Sequence, residues 1–555
     1  MAKLAKFLQG VAGAAGGAGL NVEEVFSTYL YEGTATSVSH QIQNGIDLDG
    51  EGGLLWVKKR DSNISNTSHQ LYDTERGASA GFLSSDSTNS QSTGDLSSFN
   101  TDGFTWNAST GLGSDYLGSD YASWTFRKAP KFFDVVTYTG TGSGGLVVNH
   151  NLGATPGMIV VKKTSDTGFW RVWHTATGNA FGNLNLTSSF FTGAQAVWGD
   201  GSSYVAPTDT SFTVGTDHNV NSSGATYVAY LFAHNDDDGE FGPDSDADII
   251  KCGSYTGTGS VPGNFIDLGF EPQWVMVKSA DQARPWVMVN NMMGMPVDGS
   301  GPRLLANDSA GEVSNASFLA PRATGFEITK QNTYVNTSGE TYIYIAIRRG
   351  PMAVPEDADD VFDVEYSNQN SDGYYANLGA VTDTWLYKDK STSSNWFMRS
   401  RLTGANYLNT NLTNAETSQS ISFWDNMNGV GPTGVTASTD TNAYSWVWKR
   451  APNYFDVVAY SGNGTAGRTV SHNLGVAPEM MWVKGRSNTD NWSVYHKDLS
   501  SGQHLQLNAT AAAGTNSNMF TTTAPTSSVF SLGSDGAVNG SSNTYIAYLF
   551  ASLDG

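Results

Sequence analysis

A chain that repeats itself must fold as its repeating unit folds, and this chain returns to one pattern. Residues 133–163, FDVVTYTGTGSGGLVVNHNLGATPGMIVVKK, come back at residues 455–485 as FDVVAYSGNGTAGRTVSHNLGVAPEMMWVKG. In the first of these, Phe133, Val135 and Tyr138 form a short aromatic and β-branched run. A Gly/Thr/Ser tract interrupts it, and apolar residues resume at 146–148. This reads as strand, turn, strand. Asn149, His150, Asn151 and Gly153 suit a tight turn, Pro156 withholds a ladder donor, and residues 158–161 form the next strand. The unit is a β-meander with glycine-rich corners.

The landmark appears five times, starting at residues 25, 133, 248, 361 and 455. Later landmarks keep the same order in each copy. A middle strand reads HQLYD at His69, FWRVWH at Phe169, PWVMVN at Pro285, NWFMRS at Asn395 and NWSVYH at Asn491. A closing strand reads DYASWTFRKAP, ATYVAYLFA, ETYIYIAIRRG, AYSWVWKRAP and NTYIAYLFA. Its alternation of large and small residues lets one face be buried and the other point outward, as in a sandwich. About a hundred residues per copy is enough for a small core. The expected fold is all-β: tandem β-sandwich domains over 25–130, 131–234, 248–349, 361–452 and 453–555, behind an N-terminal segment 1–20.

That first segment, MAKLAKFLQGVAGAAGGAGL, matches no copy. Leu4, Phe7, Leu8 and Val11 share one helical face, so it reads as a short amphipathic helix that docks into a neighbouring protein as an anchor. A signal peptide is the competing account, and Gln9 and the repeated glycines make a poor apolar segment for one. Two near-identical joints, RKAPKFFDVV and KRAPNYFDVV, connect copies one to two and four to five, each stiffened by proline. Acidic linkers, HNDDDGEFGPDSDAD and RGPMAVPEDADD, flank the third copy, which suggests a pair, a single and a pair.

Thirty basic against 52 acidic residues, a net charge of -22, argue against nucleic acid as partner. No apolar run is long enough for a transmembrane helix. The single cysteine, Cys252, lies among strand residues and reads as a buried thiol. Asp244, Asp246 and Asp248 alternate as calcium ligands do, but Ile249 and Ile250 stand where a calcium loop needs glycine and a further ligand. A solvated acidic spacer is the favoured reading, with no cofactor expected.

His40, His150 and His472 hold one equivalent place in three copies, and His174 and His496 another. Recurrence at a turn points to backbone bonding rather than catalysis. Asp134 and Asp456 repeat in the joints, where a loop or cap role is natural. Asp73 and Glu75 form the best local acidic pair for glycoside hydrolysis, with no partner fixed by the pattern. Most tryptophans fall within strands and read as core; Trp198 and Trp424 lie in loop-like surroundings and are the candidates for exposed contacts. No catalytic residues are assigned, and the chain is not expected to be an enzyme.

The segments NGIDLDGEGGLLWVKKR, LYDTERGA, SFNTDGFTW and YASWTFRKAPKFFDVVTYTGTG, with the turns HNLGATP and HNLGVAP, resemble a family of uncharacterised repeat domains in virion proteins of marine tailed bacteriophages. The resemblance runs from about residue 25 to 551, and copies three and four depart from it at the HNLG turn. It implies a structural virion protein, a tail fibre or lectin-like appendage, located on the particle surface and adhering to a host glycan or protein. It also implies contact with other virion proteins through the N-terminus and homo-oligomerisation, with a trimer the usual form for fibres. A capsid decoration or head fibre is the alternative within that class, and a polysaccharide-degrading tailspike the alternative from another.

Overall fold

The computed structural model describes residues 19–34, 39–61, 67–107, 115–367, 376, 378–419, 424–431 and 442–553. The anchor residues Leu4, Phe7, Leu8 and Val11 lie outside them. The first described element is one helical turn, Val22–Val25, which leads into strand Phe26–Glu32. Nearly all the regular structure after it is antiparallel β, as the period-2 patterns require.

The second module shows the plan. Strand Phe133–Thr139 forms one edge of a six-stranded sheet and pairs with the closing strand Thr226–Phe232, from Phe133 opposite Phe232 to Thr139 opposite Thr226. The closing strand pairs on its other side with Met158–Lys163, followed outward by Arg171–His174, Ala180–Asn183 and Phe191–Thr192. A second sheet, Leu146–Asn149 with Ser211–Val214, covers one face. The fifth module repeats this arrangement, with Phe455–Ser461 against Thr544–Phe550 and a small sheet of Arg468–Ser471 and Val529–Leu532. The first and third modules pair a four- or five-stranded sheet with a three-stranded one, and the fourth carries a five-stranded sheet. The first strand meets the closing strand at Phe26–Phe126, Ile250–Ile347 and Phe362–Trp448 in these three modules.

The two joints have one structure. Ala129 bridges Phe133 and Ala451 bridges Phe455. Lys131 and Asn453 adopt φ of 59° and 62°, and each donates its N–H to the leucine carbonyl of its module's HNLG turn at 2.7 Å.

The first, second, third and fifth modules each have an interior core between their two sheets. That of the third holds Leu268, Phe270, Val277 and Phe326, and that of the fifth Leu474, Val483, Phe530 and Leu549. The outward face of the large sheet departs from the alternation expected of it. Strand Thr226–Phe232 is buried on both faces beyond its first residue. Its outward residues Val228, Tyr230 and Phe232 join Trp56, Trp124 and Phe126 of the first module and Trp274, Met276 and Ile345 of the third in one continuous cluster. The third module is therefore packed onto the first pair, not set apart by its linkers. The outward residues are as large and apolar as the inward ones, and burying each one contributes roughly 1.5–3 kcal/mol. The fourth and fifth modules likewise join outward faces through Met398, Leu408, Trp448, Trp492 and Tyr548.

Candidate functional site

The module ends away from the joints are built alike in modules two, three and five. In the second, the glycine-rich turn after Thr139 is gripped by Asn221, which is fully buried. Its side-chain oxygen accepts from the Thr141 N–H at 2.7 Å, and its NH2 donates to the carbonyls of Ser143 and Gly215, each at 2.7 Å. Asn336 binds Thr258 and Ser260 in the same way, and Asn539 binds Asn463, Thr465 and Gly533. Beside each asparagine two tyrosines stack: Tyr138 on Tyr227, Tyr255 on Tyr342 and Tyr460 on Tyr545, with centroids 5.0, 5.2 and 5.2 Å apart. One tyrosine of each pair donates its hydroxyl to the carbonyl of Val220, Val335 or Val538. The tip itself, including Thr141, Gly142 and Ser143, stays exposed.

A lysine at the end of the third strand completes each apex. Lys58, Lys162, Lys278 and Lys484 are buried, and Lys388 is half-buried. Their ammonium groups donate to backbone carbonyls of adjoining loops: Lys278 to Ser279 and Gln282, Lys388 to Thr392 and Ser394, and Lys484 to Gly485 and Asn488. Burial lowers Lys58, Lys162 and Lys484 to about 8 and Lys278 to about 7. The apex is thus a set of polar loops whose backbone is fixed from beneath, able to offer preset hydrogen-bonding groups to a polar ligand.

The repeated histidines serve turns. The Nδ1 of His150 accepts the Leu152 N–H, and that of His472 the Leu474 N–H. His174 accepts from Ala176 and bonds the Tyr344 carbonyl of the third module, and its burial lowers its pKa to about 4. His496 accepts from Asp498, whereas His40 bonds Asp115 at 2.8 Å. Asp134 and Asp456 pin the same turn, each accepting the N–H of Asn151 or Asn473 at 2.7 Å.

Asp73 and Glu75 do not converge. Asp73 is buried against Arg76 and accepts from the Tyr230 hydroxyl of the second module at 2.8 Å, while Glu75 reaches Lys128 at the surface. Trp198 and Trp424 are not surface contacts, being 1% and 3% exposed. Their loops fold inward, so that Trp198 lies against Phe212 and Trp424 donates to the Gly404 carbonyl at 2.7 Å under the Arg401 guanidinium. An indole that turns from a loop into the core removes a large apolar area from water. The acidic linker, read as a solvated spacer, is instead folded back on itself and held to its neighbours, with Phe241 in the shared core and Lys131 bonded to the Asp238 carbonyl. The Asp248 carboxylate accepts from the N–H groups of Asp237 and Gly239, while Asp244 and Asp246 stay exposed. Among the described residues no group of three or more acidic, histidine or cysteine side chains is placed to hold a metal ion. Burial raises the Cys252 thiol, which keeps it protonated.

A cavity of about 280 Å3 lies where the acidic linker, the third module and the second joint meet, lined by Phe241, Arg348, Met352, Glu271, Arg450 and Asp456. Arg450 holds both oxygens of Glu271 at 2.8 and 2.6 Å and Asp456 at 2.6 Å. Arg349 holds Asp383 at 2.9 Å. Burial alone would raise the Asp383 carboxyl, but Arg349, Arg450 and Arg401 outweigh it and keep it below the usual carboxylate range. Each of these carboxylates is committed to an arginine, so the cluster works as a clamp between the third, fourth and fifth modules.

The sequence reading missed the apex asparagines and lysines. Both were visible, in VNSSGATY, VNTSGETY and VNGSSNTY before the closing strand, and in WVKK, VVKK, VMVK, LYKD and WVKG. No helix among the described residues is long and apolar enough to cross a membrane. A search of curated proteins finds no match. Residues 22–351 and 431–555 match a family described as a domain of unknown function, DUF7483. Since the match spans most of the chain, the protein belongs to the DUF7483 family.

Proposed function

We propose that the protein is a structural component of a tailed-phage particle that displays rigid β-sandwich apices for contact with the host surface. The phage placement rests on the resemblance of LYDTERGA, SFNTDGFTW and the HNLG turns to virion repeat domains. The adhesive role is supported by one observation above the rest: the same apex is built three times, by Asn221 and Asn336 on modules joined by their outward faces and by Asn539 on a module joined in the same way to the fourth. Repeated shallow polar loops suit weak multivalent contact with a glycan or glycoprotein, where several sites together supply avidity. The N-terminal segment is the proposed attachment to other virion proteins, and homo-oligomerisation, as a trimer in the fibre case, belongs to the same reading. No catalytic step is assigned to any residue.

Immunogold labelling of whole particles with an antibody against the fifth module tests the placement. Label on tails is expected. Label on capsids favours a decoration or head-fibre role, and particles without label refute the proposal. Deleting residues 2–20 is expected to leave a folded β protein that no longer enters particles, and normal incorporation would refute the anchor.

A further inference from the structure

The first three modules close on one another through one repeated pair of hydrogen bonds. A ring N–H at the start of the fourth strand donates to a carbonyl of another module: Trp170 to Ser84 at 2.8 Å, Trp286 to Asn183 at 3.0 Å and His69 to Leu305 at 3.0 Å. These bonds run from second module to first, third to second and first to third, and so form a closed cycle. Seven residues after each acceptor, a backbone N–H returns to the donor's module: Gln91 to Thr164, Phe190 to Ala280 and Glu312 to Arg60. The fifth module makes the same pair with the fourth, Trp492 to Asn409 at 2.9 Å and Glu416 to Arg486 at 2.8 Å. Among the described residues the cycle is not closed there.

The open halves can be named. In the fourth module Trp396 holds the donor position, with its backbone N–H bound to Asn411 as that of Trp170 is to Asn185. Among the described residues its indole donates to no other module, and the ring is only half-buried, stacked on Trp446 at 5.4 Å. Tyr444 on the same face is 38% exposed, whereas its equivalents Ala122, Val228, Ile343 and Ile546 are 0–1% exposed. In the fifth module the acceptor position is the Gln506 carbonyl, and Leu507 beside it is 38% exposed, where Leu184 and Ala306 are buried. The return donor would be Ala513, seven residues on and exposed, as is Lys390, the residue whose carbonyl would accept in the fourth module.

We infer that the fourth and fifth modules form a docking site for one further β-sandwich module of this same repeat, additional to the five in residues 25–555. The occupant follows from the closed cycle. Three such contacts suffice to return to the start, so a pair joined by one contact leaves room for a single module. That module needs a Trp or His N–H for Gln506, a carbonyl for Trp396 and an apolar sheet face for Tyr366, Tyr444 and Leu507. A second copy of this chain would bring its own joined pair into a place that holds one module, and its first three modules have their donors and acceptors already engaged.

The test extends the full chain after Ala551 with a protease-cleavable linker and a second copy of residues 234–349, which continues the fifth module as the second is naturally continued. Hydroxyl-radical labelling of Tyr444 and Leu507 is expected to fall to the level of Tyr230 and Leu184. After cleavage the added module is expected to co-elute with the chain in gel filtration, and W286A in the added copy to release it. An added module that is protected from hydrogen exchange yet leaves Tyr444 labelled as before, or separates after cleavage, overturns the inference. The unextended chain supplies a reading that does not require the added module to fold: Tyr444 and Leu507 should be labelled strongly. Their protection in the chain alone, or self-association abolished by Y444K, would show that the chain or its own copy fills the place and would overturn the inference.

Discussion

Replacing Arg450 with methionine is expected to release the fourth and fifth modules from the third. The Arg450 side chain is 4% exposed and its guanidinium satisfies Glu271 and Asp456, themselves 7% and 3% exposed. Removing it leaves two carboxylates with little water to replace their partner, a loss of about 3–5 kcal/mol for a broken buried pair. Spread over a unit of some two hundred residues, the loss lowers the melting temperature of that unit by roughly 6–20 °C. Calorimetry on the full chain reads the shift, and hydrogen exchange along Phe455–Ser461 and Thr384–Asp389 assigns it to these modules. The double variant R450M/E271L should lose less than R450M alone, because one stranded charge is gone while Asp456 keeps the N–H groups of Val457 and Asn473. A shift below about 2 °C for R450M, or a double variant at least as damaged as the single, would refute the argument that unpaired burial sets the cost.

Three further outcomes follow from the packing. N539A removes bonds to Asn463, Thr465 and Gly533 and should cost about 2–4 kcal/mol in urea unfolding of the fifth module, with faster exchange confined to its apex. W170F keeps the ring area and loses the bonds to Ser84 and Ser87, an expected cost of about 1–2 kcal/mol, whereas W396F should be neutral within about 0.5 kcal/mol in the same assay. The lysines Lys58, Lys162, Lys278 and Lys484 ionise at about 7–8 when folded and at 10.5 when unfolded, so between these values the unfolded chain binds more protons. Their cost to stability is full below pH 7 and is relieved as pH rises, so the urea midpoint should climb from pH 7 towards pH 9.5; K278M should flatten part of the climb, and a falling midpoint would contradict it.

The repeated period and the joints were legible because each is set by residues close in sequence, whereas the expected meander was not found: Phe133–Thr139 pairs with the distant closing strand Thr226–Phe232, and Leu146–Asn149 crosses to the second sheet. Asp134 and His150 lie sixteen residues apart around one HNLG turn, and their turn roles follow from local pattern. What escaped the sequence depends on which module meets which. Tyr230 looked like an outward residue because alternation has no means of distinguishing water from a neighbouring sheet, and its partner Asp73 is 157 residues away. Arg450 finds Glu271 at a separation of 179 residues. Trp198 and Trp424 looked exposed since polar loop neighbours say nothing of where an indole turns. The apex asparagines were overlooked although local, because a buried asparagine in a turn reads like any other loop residue until its bonds are seen.

Small-angle X-ray scattering of the full chain in solution tests most directly whether the five modules are packed together and not strung out. Outward faces joined as described predict a radius of gyration of about 25–30 Å for a chain of this length. A value of roughly 45–50 Å, that of five separate modules in a row, would contradict the account.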